Sequence, residues 1–442
     1  MGPLLPDVRV PPPGPASLAL AERLRRVESR NVTYLDDEWP VFWEEAAGAN
    51  VRDADGNVYV DLTAAFGVAL LGHSSPSVVA AVSEQVGRLA HGMGDVHPPA
   101  LKVQLLERLA SFAPWPGAKA VLASTGSEAV EIALKTAYLA TGRPGVLAFE
   151  GGYHGLTLGA LAVTSRPLFR APFAPRLHPG VAFAPWPAED GRGASAEDVL
   201  AAVRRILRDG APNGDPIGAV IVEPVQGRAG VRLAPGGFMG ELSGLAAEAG
   251  ALVIADEMIT GMGRCGAMLA SGVVGLRPDL VCLGKALGAG LPLSACLGAP
   301  AVMDAWPASA GEAVHTSTFL GHPLASAAAL AALDRYEPDG VLRRAEVLGA
   351  RLRNALGGRL SGLAGVVEVR GLGLLIGIEL GGADAGEGAA ARVAIAALRR
   401  GVLVLPAGER GEVLELAPPV VLTDAQADHA VEVLVSAIEE VL

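Results

Sequence analysis

The chain has 442 residues, of which 51% are hydrophobic and 19% are charged, and its formal net charge is −12 at pH 7. At ~100–200 residues per domain, this length allows two to four domains, and the apolar content excludes a disordered or coiled-coil chain. The charged residues form no basic block, so we expect no nucleic-acid partner.

Apolar runs of strand length alternate with helical patterns along the chain, which predicts an α/β fold with crossover helices. The clearest strands show no polar alternation, as expected for strands covered on both faces. They are Ala219–Val222, Ala251–Ala255 and Leu280–Leu283. The clearest helices are Glu128–Ala140, Phe238–Ala249 and Ala425–Leu442. Loops are predicted at Pro11–Pro15, Asp190–Ser195 and Gly381–Gly388.

The first of these helices has a start signal in the segment Ser124–Ala129. Thr125 and Glu128 have the spacing of a capping box, and Gly126 allows close approach of the backbone. The first amides of the helix point outward at the positive end of its dipole, which is typical of phosphate sites. Many helices begin this way for capping alone, so both interpretations stay open at this point.

The segment Gly151–Gly155 presents Tyr153 and His154 in a loop that contains three glycines. Glycine permits the unusual dihedral angles of such a turn, and an aromatic ring presented there can cover a planar ligand. A partly buried loop aromatic is the alternative interpretation.

Charged residues follow the three predicted strands directly. Glu223 follows the first strand, Asp256 and Glu257 follow the second, and Lys285 follows the third. Ligands of open α/β sheets bind outside the carboxyl ends of the strands, so we interpret these residues as one site. An ionised acid can hold a heteroaromatic nitrogen protonated, and burial can lower the pKa of a lysine enough for Schiff-base chemistry. Lys285 stands in the otherwise uncharged segment Cys282–Gly288, which argues against an ordinary surface lysine.

These motifs, in this order, resemble the class III aminotransferases of the fold type I pyridoxal-phosphate enzymes over roughly residues 30–440. The motifs are Ser124–Glu128, Gly152–Gly155, Glu223–Gly227, Asp256–Gly266, Leu283–Gly288 and Thr316–Pro323. The resemblance implies a large domain with a mainly parallel, seven-stranded-type sheet and a smaller α/β domain built from both chain ends. The implied boundaries are 1–60 for an N-terminal part of the small domain, 61–325 for the cofactor-binding domain and 326–442 for the C-terminal small domain.

The resemblance also implies a role for each residue that contacts pyridoxal 5′-phosphate. Lys285 would hold the cofactor as an internal aldimine, and Asp256 would pair with its pyridine nitrogen. The other implied contacts are Gly126 and Ser127 at the phosphate, Tyr153 and Met258 on the two ring faces, Gln226 near the ring hydroxyl, His154, Glu223 on the substrate side, and Thr318 from a neighbouring subunit.

The implied reaction is a transamination that moves an amino group from an amine or amino-acid donor to a keto acid such as pyruvate. A role for Thr318 across an interface implies a homodimer with active sites at the interface, and a tetramer stays open. A racemase, epimerase or lyase would use the same lysine and is the alternative. An inactive scaffold protein would have lost Lys285 or Asp256, and both are present.

The chain departs from the family pattern at Glu415, where many members that act on α-amino or α-keto acids carry an arginine for the α-carboxylate. Glu415 could face solvent on a strand edge, or attract the distal ammonium of a diamine, or leave the carboxylate to another cation. Candidate cations are Arg228, Arg232 and Arg410. The reversed charge predicts weak use of acidic donors such as glutamate. Phe66 matches a pocket aromatic of amine-accepting relatives, and Trp39 could add to an apolar pocket wall.

Other classes of protein fit less well. Gly261–Gly266 matches a dinucleotide fingerprint in spacing, but Asp256–Thr260 separates it from the predicted strand. No histidine or cysteine cluster suggests a metal site, and three scattered cysteines do not make a disulfide framework. The longest uncharged runs contain glycines and prolines that a membrane span lacks, and no export signal is recognisable, so we expect a cytoplasmic protein without a membrane partner.

Overall fold

The computed structural model describes residues 1–39, 41–188, 193–381, 386 and 388–442. The predicted loops at 190–195 and 381–388 lie partly outside the described residues. The loop predicted at 11–15 leads into the first helix, which begins at Pro15.

The elements are numbered in chain order. The helices are α1 Pro15–Val27, α2 Ala64–Gly67, α3 Pro76–Arg88, α4 Ala100–Phe112, α5 Gly126–Thr141, α6 Leu158–Val163, α7 Pro167–Arg170, α8 Ala196–Asp209, α9 Phe238–Ala249, α10 Ala270–Val274, α11 Pro300–Met303, α12 Pro323–Leu333, α13 Val341–Leu360, α14 Ala389–Arg399 and α15 Asp424–Val441. The strands are β1 Trp43–Ala47, β2 Asn50–Asp53, β3 Val58–Asp61, β4 Lys119–Ala123, β5 Gly145–Phe149, β6 Val181–Ala184, β7 Ile217–Val222, β8 Leu252–Asp256, β9 Leu280–Leu283, β10 Ser294–Gly298, β11 Val366–Leu372, β12 Leu375–Leu380, β13 Val402–Leu403, β14 Leu405–Ala407 and β15 Val413–Leu416.

The chain divides into two compact units. The end unit comprises Met1–Ser75 and Arg344–Leu442, and the central unit comprises Pro76–Arg343. The functional domains predicted at 1–60, 61–325 and 326–442 are drawn by role rather than by packing and remain a prediction.

The central unit is built on a seven-stranded sheet of order β4-β10-β9-β8-β7-β5-β6. Only β10 runs antiparallel to its neighbours, so the sheet is mainly parallel, as the sequence predicted. The three predicted strands are β7, β8 and β9. They are uniformly apolar because helices cover the sheet, and α5 packs Val130 and Ala133 against Ile221 and Ile254.

The end unit contains two four-stranded sheets, of order β1-β2-β3-β13 and β11-β12-β15-β14. Its C-terminal helix α15 begins with a capping box, in which Thr423 and Gln426 bond each other's backbone. One face of α15, which includes Leu434 and Ile438, is buried. Among the described residues, no helix is long and apolar enough to span a membrane.

Candidate active site

The carboxyl ends of neighbouring parallel strands bring the predicted site residues of the central unit together. The Tyr153–His154 loop follows β5, Glu223 follows β7 and Asp256 ends β8. Asp256 pairs in register with Cys282 of β9, three residues before Lys285. Parallel pairing therefore places residues that are distant in sequence on one edge of the sheet.

Asp256 and His154 form a buried pair at the centre of this edge. Nδ1 of His154 lies 2.8 Å from Oδ2 of Asp256, and the two residues are 3% and 2% exposed. Burial lowers the pKa of His154, but the hydrogen bond and charge of Asp256 outweigh it and raise the pKa overall. The other carboxylate oxygen, Oδ1, accepts from the backbone N–H of Met258 at 3.0 Å. Asp256 is thus a fixed, oriented carboxylate.

Glu223 lies beside this pair and joins two loops. Its Oε1 accepts from the backbone N–H of Tyr153 at 3.0 Å, and its Oε2 accepts from that of Gly227 at 3.1 Å. Burial raises the pKa of Glu223 to about 7, with the positive charge of His154 opposing the shift and Asp256 adding to it. Glu223 therefore titrates near neutral pH.

The neighbouring acid Glu257 has a different surrounding. Its carboxylate accepts from Thr260 Oγ1 at 2.5 Å and from the backbone N–H groups of Ala270 and Ser271 at 3.1 and 2.6 Å. Burial raises its pKa, and these hydrogen bonds lower it. Glu257 thus holds the start of α10 and is part of the scaffold rather than of the open edge.

The start of α5 has the predicted capping box. Oε2 of Glu128 accepts from the backbone N–H of Thr125 at 3.0 Å, and Oγ1 of Thr125 accepts from that of Glu128 at 3.3 Å. Ser127 Oγ accepts from the Leu156 N–H at 3.1 Å. A Cβ added to Gly126 would lie 2.9 Å from Sδ of Met258, so a larger residue there would have to displace the Met258 side chain.

Two observations fit the pyridoxal phosphate that the resemblance implies. Oε1 of Gln226 is buried and has no hydrogen-bond partner among the described residues, while its Nε2 donates to the Glu150 carbonyl at 2.8 Å. An acceptor left open in this way is suited to a ligand hydroxyl. The backbone amides at the start of α5 are suited to a phosphate, because they lie at the positive end of the helix dipole.

Lys285 is half-buried and begins a 3₁₀ turn, Lys285–Gly288, immediately after β9. Its φ of 45° lies in the left-handed region, which costs a non-glycine residue roughly 1–2 kcal/mol. Such strain persists only where the surroundings impose it, and it is common at active sites. A Cβ at the preceding residue, Gly284, would lie 2.6 Å from Sδ of Met258.

The remaining predicted residues lie elsewhere. Thr318 is exposed on the central unit, and Phe66, Trp39 and Glu415 belong to the end unit. Phe66 is 61% exposed with a φ of 60°. Glu415 is buried on β15, between β12 and β14, so the alternative that it faces solvent on a strand edge is wrong.

Sequence reasoning missed one residue that supports the Asp256 pair. Oγ1 of Thr164 accepts from the backbone N–H of His154 at 2.9 Å and lies 3.0 Å from the Gly155 carbonyl. Thr164 is fully buried at the end of α6. Its role depends on how α6 folds back onto the loop, and no local sequence signal reports that.

The sequence profile described as Aminotransferase class-III matches residues 33–438. Over 410 residues, the chain is 36% identical to the 5-aminovalerate aminotransferase of Pseudomonas aeruginosa, covering 91% of this chain and 94% of that protein. Over 440 residues, it is 36% identical to the 4-aminobutyrate aminotransferase of Mycobacterium tuberculosis, with 96% and 95% covered. Among solved structures, the omega transaminase of Pseudomonas jessenii in complex with PMP has a TM-score of 0.86 at 26% identity, with 96% and 98% covered.

Proposed function

Because the chain belongs to the aminotransferase class-III family, it is a pyridoxal-phosphate-dependent transaminase, and we propose that its donors are ω-amino acids. In such donors, the amine and the carboxylate lie at opposite ends of the molecule, as in 5-aminovalerate and 4-aminobutyrate. The acceptor is a keto acid such as pyruvate. The relatives reported above are aminotransferases, so the racemase, epimerase or lyase alternative is not supported.

The donor class is proposed from the relatives, and the observation that carries the cofactor chemistry is the buried Asp256–His154 pair beside the strand that leads to Lys285. When bound, pyridoxal phosphate supplies an aldehyde carbon and an electron-withdrawing ring. Asp256 holds a proton on the pyridine nitrogen, and His154 keeps that carboxylate oriented. Lys285 supplies the amine that attaches the cofactor, and it then moves the proton at the reacting carbon of the substrate.

The other contacts of the cofactor are proposed from the same edge of the sheet. Gly126 and Ser127 bind the phosphate through the start of α5, and Gln226 accepts from the ring hydroxyl through its open Oε1. Tyr153 and Met258 cover the two faces of the ring. Glu223 lies on the substrate side, and Phe66, Trp39 and Glu415 stay proposed substrate residues.

A donor panel tests this function. Purified holoenzyme is assayed with pyruvate and four donors: 5-aminovalerate, 4-aminobutyrate, an aryl-alkyl amine and glutamate. We expect kcat/KM to be highest for the two ω-amino acids and lowest for glutamate, because Glu415 opposes an α-carboxylate. Chiral analysis of the recovered amino acids reports racemisation. Turnover of glutamate above that of both ω-amino acids would contradict the proposed donor class.

We further propose a homodimer with active sites at the interface. Thr318 is exposed beside large apolar side chains that a second copy would cover, since Met93 and Phe319 are both 54% exposed. The two segments that carry them are joined where Thr316 Oγ1 donates to Asp95 Oδ2 at 2.8 Å. A measurement of molecular mass in solution distinguishes this dimer from a tetramer of two such dimers.

A mixed-dimer experiment tests this arrangement. Lys285→Ala and Thr318→Ala chains with different tags are co-expressed, and the heterodimer is isolated. One of its two sites combines an intact Lys285 with the partner subunit's Thr318, so about half of wild-type activity is expected. Activity no higher than the mean of the two variant homodimers would exclude a shared site.

We also propose the domain boundaries and the cellular compartment. Residues 61–325 form the cofactor-binding domain, with 1–60 and 326–442 in the small domain. We propose that the enzyme is cytoplasmic, because Cys265, Cys282 and Cys296 are not joined by disulfides, as expected in a reducing compartment.

A further inference from the structure

An ω-amino acid brings a carboxylate into the site, and a carboxylate that leaves water needs a cation. Glu415 cannot supply it, because it is itself an acid and is buried. The central unit has several arginines close to the Tyr153–His154 loop. Their hydrogen bonds and ring contacts show which arginines hold the loop in place and which can bind a ligand.

The segment Gln226–Arg232, which we call the Arg228 loop, is a closed and strained turn. The backbones of Gln226 and Arg232 exchange two hydrogen bonds of 3.0 Å at its base. Val231 has a φ of 53°, which is unfavourable for a β-branched residue. The loop is therefore held in one conformation by its surroundings rather than by local preference.

Glu223 ties this loop to Tyr153. One carboxylate oxygen binds the Tyr153 N–H and the other binds the Gly227 N–H, at 3.0 and 3.1 Å. Because Arg228 follows Gly227 directly, its backbone starts one residue from an N–H group that Glu223 binds. A single buried carboxylate thus sets the spacing between the Tyr153 ring and the base of the Arg228 side chain.

A second arginine is fixed to the other side of the same loop. Ser165 Oγ accepts from the backbone N–H of Gly151 at 2.7 Å, and the Ser165 N–H donates to the carbonyl of residue 152 at 2.9 Å. The next residue, Arg166, places its Cζ 5.6 Å from the Phe169 ring centre. That ring meets the Tyr153 ring edge-on, with centroids 5.7 Å apart.

Both arginines lie close enough to the Tyr153 hydroxyl for their positive charges to act on its pKa. Burial raises the pKa of Tyr153, and the positive charges of Arg228 and Arg166 act against that rise. Across the part of the chain that the structure describes, the Arg228 guanidinium makes no ion pair with a carboxylate. It is half-buried, so a substrate can reach it.

We propose that Arg228, assisted by Arg166, binds the substrate carboxylate beside Tyr153. The inference rests on the proposed function and names the side chains that hold the acid end of the donor. A guanidinium can bind a carboxylate through two parallel N–H···O bonds, which fixes the orientation of the substrate as well as its charge. The cation therefore comes from the loop after β7 rather than from the position of Glu415.

Two neighbouring arginines, Arg170 and Arg232, contact the scaffold of the loop instead. Nη1 of Arg170 donates to backbone carbonyls at the end of α6, and its Cζ lies 4.8 Å from the Phe183 ring centre. Nη1 of Arg232 lies against Gly151, where an added Cβ would be 3.3 Å away. These contacts hold the scaffold of the loop, so Arg228 is the cation that we assign to the ligand, with Arg166 beside the same aromatic pair.

The test is the first half-reaction, measured in a single turnover so that the keto-acid acceptor is absent. Holoenzyme is mixed with 5-aminovalerate or with n-pentylamine, which has the same chain length without the carboxylate. For Arg228→Gln we expect the apparent Kd of 5-aminovalerate to rise about tenfold to a hundredfold, as for loss of a charged hydrogen bond, with the limiting rate nearly unchanged. Values for n-pentylamine stay at the wild-type level.

Three variants complete the design. Arg228→Lys is expected to restore part of the affinity because it keeps the charge, and Arg166→Gln to give a smaller loss than Arg228→Gln. Arg176→Gln removes an exposed cation of the same unit and is expected to change neither donor. An equal loss for both donors in Arg228→Gln, or unchanged 5-aminovalerate binding in an active enzyme, overturns the carboxylate subsite. Wild-type holoenzyme that reacts with neither donor contradicts the proposed function instead.

Discussion

The start of α5 and the Asp256 centre, which comprises Asp256, His154 and Glu223, are built in opposite ways. At the start of α5, Thr125 and Glu128 bond each other across three residues of sequence, and Thr125 is exposed. In the Asp256 centre, His154 and Asp256 are 102 residues apart and almost completely buried. The first region is a local device that a short sequence specifies, and the second exists only once the sheet has assembled.

This difference separates the effects that mutations should have. A local cap contributes a fixed free energy to its own helix, whichever helix carries it. A buried network depends on every member, because a removed partner leaves another polar group buried without one. Substitutions in the Asp256 centre should therefore lower activity strongly, whereas those at the start of α5 should lower stability modestly.

The largest effect is expected for Lys285→Ala. Loss of the Lys285 amine should abolish turnover, because attachment of the cofactor and proton movement depend on the same Nζ. Steady-state kinetics and the visible absorbance of the lysine-bound cofactor measure this. Lys135→Ala, on the exposed face of α5, is the control and should keep both. A wild-type absorbance spectrum in Lys285→Ala would refute the assignment.

Asp256→Asn should have the next largest effect. The amide keeps the shape of the side chain but cannot hold a proton on a pyridine nitrogen by charge, and it leaves His154 facing a neutral partner. A hydrogen bond to a charged group contributes about 1.5–3 kcal/mol, and its loss in the transition state corresponds to roughly a tenfold to a hundredfold fall in kcat. Glu257→Gln is the comparison, because Glu257 holds the start of α10. This variant should mainly lower the free energy of unfolding rather than kcat. Equal kcat values for the two variants would show that Asp256 and Glu257 do not differ in this way.

Glu223→Gln should alter the dependence of stability on pH. The pKa of Glu223 is raised from 4.5 to about 7 in the folded protein, so between these values the native state binds a proton that the unfolded state has lost. The contribution of Glu223 is therefore present at low pH and is lost as the pH rises through 7. Relative to wild type, the variant should gain up to about 3 kcal/mol between pH 4.5 and 8.

Urea unfolding at several pH values measures that difference, and the double difference cancels the pH-independent cost of the substitution. Glu150→Gln, at an exposed position of the loop after β5 that Glu223 contacts, is the matched control and should show no such gain. A variant whose unfolding free energy runs parallel to that of wild type across this range would contradict the shifted pKa.

The smallest effect is expected for Thr125→Ala, which removes the cap of α5. Its free energy of unfolding should fall by about 1 kcal/mol, and cofactor affinity should fall with it because the first turn binds the phosphate. Thr423→Ala removes the equivalent cap of α15 and should lower stability by a similar amount without changing cofactor affinity. Equal cofactor affinities in the two variants would show that the start of α5 does not bind the phosphate.

Much of the central unit was predictable because its signals are local. The strand Leu280–Leu283 and the helix Phe238–Ala249 have the predicted bounds, and β7 extends the predicted Ala219–Val222 by two residues to Ile217. Uniform burial makes such strands uniformly apolar, and capping boxes mark where helices begin. The class of chemistry was also predictable, because an acid and a lysine stand at the carboxyl ends of neighbouring parallel strands.

The surroundings of the acids were not predictable in this way. Glu223, Asp256 and Glu257 are all acids at strand ends in sequence, yet they have three different sets of partners. In sequence Glu415 is a polar residue of an apolar strand, and only the folded structure shows that its side chain is buried, on β15 between β12 and β14.

The sequence alone determined the order of elements, the helix caps and the residue types that the chemistry needs, since these depend on neighbours a few positions apart. The tertiary structure decided that His154 supports Asp256, that Glu223 titrates near pH 7 and that Glu223 binds the backbone of both Tyr153 and Gly227. The physical reason is that burial, charge and hydrogen-bond partners come from strands and loops tens of residues apart, which become neighbours only when the sheet forms.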